Sequence, residues 1–251
     1  MKNTEKKNPP KARLARLAET TAKRAKGGKT HTLIISDLHL GSRVSRAKET
    51  AEFLKNFEFK KLILLGDIFE DLNFNRLRSD DWKFLALITH FSKTRKVRWV
   101  AGNHDKDLAK ILAALTGAKV YNVYAWRYGR KKFLAIHGHQ FDNFLTNNPF
   151  LSVIAQRIYN FIQLVDFSDK RISRYIKRES KMWMRNSEKV AARAILYARL
   201  RGTDYIFCGH THKAVQERRG KVHYFNSGCW TEIPSTYITI DGKKIEICKY
   251  Q

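Results

Sequence analysis

Cysteine is scarce in this chain of 251 residues: Cys208, Cys229 and Cys248 form an odd set with no CxxC spacing. A disulfide framework and a four-cysteine zinc site are therefore excluded, and free thiols in a reducing compartment are expected. Four prolines and 13 glycines are too few for a collagen-like or low-complexity chain. No stretch reaches the ~18 uncharged apolar residues of a membrane-spanning helix, and the N-terminus has no apolar segment like that of a secretory signal. These shortages predict a cytoplasmic protein, soluble or peripheral on the inner membrane surface. Acidic residues are the last deficit. Only 23 Asp and Glu face 49 Lys and Arg, a formal net charge of +26. Such a charge attracts phosphate groups, whether on nucleic acid, an anionic membrane or a small substrate.

What is present is a globular composition, 43% hydrophobic and 12% aromatic, enough for one large core or two small ones. Residues 1–30 stand apart, with ten Lys/Arg against two Glu, a net of +8, and almost nothing large and apolar. They read as a disordered basic tail, a solvated arm or an electrostatic anchor. A short helix around Leu14 and Leu17, or a transit peptide, are the alternatives. Residues 31–251 read as the folded domain. From Thr32 onward, apolar runs end abruptly in Gly, Asp, Asn or His: "TLIISDLHLG", "KLILLGDIFED", "VRWVAGNHD", "KFLAIHGHQFD" and "YIFCGHTH". Short runs without polar alternation suit strands covered on both faces. Between them "SRAKETAEFLKNF", "SDDWKFLALITHFSK" and "DKDLAKILAALTG" have helical spacing, so strand and helix alternate. Near the C-terminus "KVHYFNSGCW", "STYITIDG" and "KKIEICKY" read as consecutive strands with a turn at Asp241 and Gly242.

The interval of about 142–202 breaks that rhythm and reads as an inserted helical cap. Its first part aligns Leu151, Ile154, Ile158, Phe161, Ile162 and Val165 on one stripe, and Lys170 to Arg201 holds eleven Lys/Arg against two Glu. Ordinary packing helices with a solvated basic face are the other reading.

Six of the nine histidines, His39, His104, His137, His139, His210 and His212, lie in the polar endings of the strand-like runs, with Asp37, Asp67, Asn103 and Asp105. Open parallel sheets put their binding crevice at such endings. Charged and imidazole groups bunched in a crevice are strongly disfavoured without a neutralising cation. Oxygen and imidazole donors without thiolate suit Mn²⁺, Fe²⁺, Zn²⁺ or Mg²⁺. Seven strong ligand candidates exceed one tetrahedral ion but fit two ions sharing a carboxylate. Two such ions suit in-line attack on phosphorus.

The blocks "SDLHLG", "LLGDIFE", "AGNHD", "HGHQFD" and "CGHTH", in this order, resemble the signature of the calcineurin-like metallophosphoesterases over roughly Thr32 to Tyr250. The resemblance implies an α/β fold, a four-layer β-sandwich flanked by helices, here carrying the inserted cap. It also implies a binuclear centre, most readily with Mn²⁺. Asp37, His39, Asp67 and His212 would hold one ion, and Asp67, Asn103, His137 and His210 the other, with Asp67 as the bridge. His104 would face the substrate as the catalytic proton donor, with Asp105 orienting its imidazole. His139 reads as an orienting, substrate-facing or merely polar residue, and Asp142 and Asn143 are candidate substrate contacts of the same kind.

Within the family, the insertion and "NSGCWTE" look most like bacterial enzymes that cleave the diphosphate of UDP-2,3-diacylglucosamine in lipid A synthesis, and their relatives. That resemblance implies a phosphorylated, lipid-linked or nucleotide-sugar substrate, a peripheral contact with an anionic membrane, and Arg171, Arg174 and Arg178 among the phosphate contacts. Cys229, and His139, stand where relatives carry Asp. The alternatives are a phosphodiesterase or nuclease drawn to nucleic acid through the basic tail, and a non-catalytic scaffold, which has no reason to retain every ligand. The oligomeric state is not legible.

Overall fold

The computed structural model describes residues 28–105, 109–142, 181–242 and 244–251. Two sheets face each other. The first has the strand order β11-β10-β1-β2-β3-β4 and the second β5-β6-β7-β9-β8. In chain order these strands are β1 (Lys29–Ile35), β2 (Glu58–Leu65), β3 (Lys96–Val100), β4 (Lys119–Tyr121), β5 (Tyr124–Tyr128), β6 (Lys131–Ala135), β7 (Tyr205–Cys208), β8 (Val215–Arg219), β9 (Val222–Asn226), β10 (Ser235–Asp241) and β11 (Lys244–Tyr250). β1 to β4 pair in parallel, as do β6, β7 and β9, whereas β10 and β11 pair antiparallel through register partners such as Asp241 and Lys244.

The apolar runs alternate between two cores because successive strand side chains point to opposite faces. Ile34, Ile63, Leu65 and Val100 face Phe133, Ala135, Phe207 and Phe225 across the sandwich. Leu33, Ile35, Leu62 and Leu64 face outward, onto Phe53, Leu54, Phe84 and Ile88. Those residues belong to α1 (Ala47–Lys55) and α2 (Ser79–Thr94), with α3 (Ala109–Thr116) completing the layer through Leu112. On the far side Leu134, Ile136, Ile206 and Cys208 meet Ala191, Ala194, Ile195 and Ala198 of α4 (Lys181–Leu200). The result is the four-layer helix, sheet, sheet, helix architecture expected of this α/β chain.

The last part of the expected cap, up to residue 202, contains α4, whose Ala face packs on the second sheet; Val190 and Ala194 are completely buried. Residues 1–27 of the expected tail (1–30) and residues 143–180 of the expected insertion lie outside the described residues, while Lys29 and Thr30, at the end of that tail, belong to β1.

Candidate metal centre

The parallel strands β1, β2, β3, β6 and β7 all end on the same rim, so the turns after them converge. Five non-glycine residues there have left-handed backbone: Asp37 (φ 54°), His39 (52°), Asp67 (49°), His210 (66°) and His212 (53°). A non-glycine residue in this region is uncommon and is held only where surrounding contacts over-determine it. Here the contacts continue the β1–β2 pairing beyond the strands. Asp37 N–H donates to the Gly66 carbonyl (3.0 Å), His39 N–H to Asp67 (3.1 Å) and Leu40 N–H to Ile68 (2.7 Å). Glycine lets the loops close. A Cβ on Gly102 would overlap the Asp67 carboxylate and amide, and one on Gly209 would strike Asp37 and Ser36.

The side chains assemble into groups whose ligand atoms all lie within 4.8 Å of one another: Asp37, His39 and His212; Asp67, His137 and His210; and His39, Glu70 and His104. His212 Nε2 is 3.3 Å from Asp37 Oδ1, His137 Nε2 is 3.2 Å from Asp67 Oδ2, and His39 Nε2 is 3.3 Å from His212 Nε2. Asn103 Oδ1 is buried with no hydrogen-bond partner. Facing imidazole nitrogens, an acceptor without a donor and two buried carboxylates are a donor set that a divalent cation satisfies.

Several imidazoles are already oriented. His137 Nδ1–H donates to the Leu65 carbonyl (2.8 Å), and His104 Nδ1–H donates to the Glu70 carbonyl, which leaves both Nε2 atoms for the centre. The Glu70 carboxylate pairs with His39 Nδ1 at 2.8 Å. Such partners fix tautomer and ring direction.

Electrostatics follow from burial and pairing. Burial disfavours the charge on Asp67 most strongly, yet His137, by charge and hydrogen bond, then His104 and His39, hold its carboxyl well below the usual range. Asp37 is likewise lowered, against burial, by His212. Burial opposes the charge on His137, but Asp67 overcomes it and pushes the imidazole up to about 10. Charge of the same sign from a bound cation would act on these carboxylates in the same direction.

The expected ligands Asp37, His39, Asp67, Asn103, His137, His210 and His212 thus reach one rim, joined by His104. His104 is more open, its side chain 27% exposed against 0% for His137. Asp105 departs from expectation. Its carboxylate accepts from the amides of Gly102 and Ile68 (2.9 Å to Ile68) and from the Trp99 indole (3.3 Å), not from His104. Those donors lie beneath the loop, so Asp105 braces the backbone while Glu70 takes the orienting role. Asp142 accepts from His210 Nε2 (3.0 Å) and from Asn186 Nδ2 of α4 (2.7 Å). The His139 ring is 5.5 Å from that of His137. Asn143, Arg171, Arg174 and Arg178 lie outside the described residues. Sequence reasoning misses Glu70 and Asn186. Glu70 stands three residues after Asp67 in "GDIFED", a local signal, whereas nothing in sequence spacing ties Asn186 to Asp142.

Residues 31–244 match the calcineurin-like phosphoesterase superfamily domain. The chain belongs to that superfamily. No curated protein matches it. Solved structures similar to it include a novel archaeal phosphodiesterase (15% identity, 87% of this chain and 98% of that chain, TM-score 0.47). The phosphoesterase Yfce from E. coli is similar at 17% identity, over 85% of this chain and 90% of that chain, with TM-score 0.47. A single mutant of Vps29 from Entamoeba histolytica is similar at 15% identity, over 88% of this chain and 99% of that chain, with TM-score 0.45. Among the described residues no helix is long and apolar enough to cross a membrane.

Proposed function

We propose that this chain is a binuclear metal-dependent phosphoesterase. The observation that carries the reading is the meeting of Asp37, His39 and His212 with Asp67, His137 and His210 on one rim, beside the more open His104. Asp37, His39, Asp67 and His212 would hold one ion, and Asp67, Asn103, His137 and His210 the other, with Asp67 shared; Mn²⁺ is our assignment, and Fe²⁺, Zn²⁺ and Mg²⁺ suit the same donors. Such a pair lowers the pKa of water and neutralises charge developing on a phosphoryl group. The chain supplies position and proton. With His104 Nδ1–H directed to the Glu70 carbonyl, Nε2 is the atom that would carry the second proton of the imidazolium form and pass it to the departing oxygen, leaving the neutral Nδ1–H imidazole behind. Asp105 holds the Gly102 and Ile68 amides, and so the loop carrying Asn103 and His104.

For substrate we infer a phosphate ester or diphosphate on a lipid-linked or nucleotide-sugar molecule, with Arg171, Arg174 and Arg178 as candidate phosphate contacts and an anionic membrane as a peripheral partner. The net charge of +26 favours a second reading, a phosphodiesterase acting on nucleic acid or nucleotides. With Mn²⁺ and bis-p-nitrophenyl phosphate, the wild type is expected to turn over and Asp67→Asn to lose roughly 10³-fold or more, as when a group stabilising transition-state charge is removed. Unchanged turnover in the variant contradicts the assignment. Release of UMP from UDP-diacylglucosamine faster than from a nonacylated analogue supports the lipid substrate. A steep salt dependence of nucleic-acid binding that survives deletion of residues 1–30 supports the second reading.

A further inference from the structure

A second concentration of charge lies at the opposite ends of the same strands. β1 and β2 run seven and eight residues between the two rims, about 25 Å at ~3.3 Å per residue. There a cleft of about 430 Å³ is lined by His31, Phe59, Lys60, Arg95, Tyr128 and Asp241, among others. Glu58 on its margin is paired with Lys29 at 3.1 Å; among the described residues no salt bridge reaches Asp241, the other acid of the lining.

The cations around this cleft are short of acceptors. The Arg95 guanidinium carbon lies 4.5 Å from the ring centroids of both Phe59 and Phe91, two rings packed edge to face at 86°, so the group is held in place against both, yet Nη1 is buried with no hydrogen-bond partner. Behind it Lys61 is 8% exposed, its ammonium 5.2 Å over Trp126 and 5.8 Å over Tyr124. Arg98 donates from Nη1 to the Val97 carbonyl, but its Nε is buried and unpartnered. Among the described residues no salt bridge reaches Lys60, Lys61, Arg95, Lys96 or Arg98. His31 registers the resulting potential. After burial, Lys61, Lys60 and Lys96 lower its proton affinity, with Asp241 acting against them.

Buried cationic N–H groups without acceptors are unfavourable, and an anion is the group that satisfies them. A guanidinium is itself planar and presents two donors in the fork geometry of a phosphate. The rings of His31 and Tyr128 pack against each other, centroids 4.5 Å apart and tilted by 37°, and both line the cleft with aromatic surface, while Asp241 offers an acceptor for a hydroxyl. We propose that this cleft binds a small phosphate ester bearing a planar ring, of the nucleoside monophosphate class, at a site separate from the metal centre. Arg95 and Lys60 take the phosphate, and the His31 and Tyr128 wall takes the ring.

The inference does not depend on the phosphoesterase reading, and its test removes the metal centre from play. The full-length protein in excess EDTA is titrated calorimetrically with AMP, and with adenosine as the uncharged comparison. AMP is expected to bind the wild type and Asp67→Asn alike, at least tenfold more weakly to Arg95→Met, and more tightly than adenosine. Lys60→Met, which alters an exposed side chain, must also weaken AMP if the phosphate sits where we place it, so the test remains decisive even if Arg95→Met fails to fold. No AMP binding by the wild type, binding lost with Asp67→Asn, binding indifferent to Lys60, or equal affinity for adenosine each overturns the proposal.

Discussion

At the C-terminal ends of the parallel strands the chain gathers Asp37, Asp67 and Glu70 among six histidines. At their N-terminal ends it gathers Lys60, Lys61, Arg95, Lys96 and Arg98 with little acid. The first rim is arranged in advance. Five ligand residues sit in left-handed turns pinned by backbone hydrogen bonds, and Leu65 and Glu70 have already chosen the tautomers of His137 and His104. The second rim holds its charges by rings instead, Arg95 against the Phe59–Phe91 pair and Lys61 over Trp126. Cation–π contact orients a charge but supplies no hydrogen-bond acceptor. One rim is thus built to receive cations, the other left with donors for an anion.

The largest effect that separates the rims is steric. Gly102→Ala puts a methyl group onto the Asp67 carboxylate and amide, and we expect about 3 kcal/mol lost in thermal or denaturant unfolding. Gly129→Ala, at a left-handed position (φ 59°) that Gly102 does not share but with nothing within 4 Å, is expected to lose only ~1 kcal/mol. Equal losses would mean that the centre is not tightly closed. Next comes orientation. Glu70→Gln frees the His39 ring without touching the seven ligands, and Mn²⁺ affinity measured by calorimetry should fall roughly 10- to 100-fold. An unchanged affinity would remove Glu70 from the account.

The smallest effect lies on the basic rim. Burial, then Arg98 and Lys96, lower Lys61 to about 8. A lysine whose folded pKa is depressed destabilises the fold wherever the unfolded chain binds the extra proton, so this penalty is complete below pH 8 and is relieved as pH rises toward the ordinary lysine value. Lys61→Met should therefore raise the melting temperature at pH 7 by a few degrees, with the gain shrinking by pH 10. A gain that grows with pH contradicts the sign.

The convergence of the candidate ligands on one rim was legible because each stands at the end of an apolar run, where a short motif carries both the strand and its turn. What braces them was not. The Asn186–Asp142 contact crosses 44 residues of sequence, and Asp105 turns downward because Gly102, Ile68 and Trp99 offer donors that only the folded loop brings together. Edge strands are also hard to see: β8, "VQERR", leaves most of its residues open to solvent and has no apolar alternation. The helix α4 reads as part of a cap in the sequence because it lies in the basic stretch from Lys170 to Arg201, while the face it buries is mostly small, Ala191, Ala194 and Ala198 beside Val190 and Ile195. Small residues pack closely on a sheet without forming a conspicuous apolar stripe.

The most direct test of the central claim is a Mn²⁺ titration of the full-length protein followed by electron paramagnetic resonance. Two ions per chain with a spin-coupled signal, reduced to uncoupled ions or a single ion by Asp67→Asn, is the result expected of a shared Asp67 carboxylate. One weakly held ion in the wild type, or a coupled pair that survives Asp67→Asn, would contradict it.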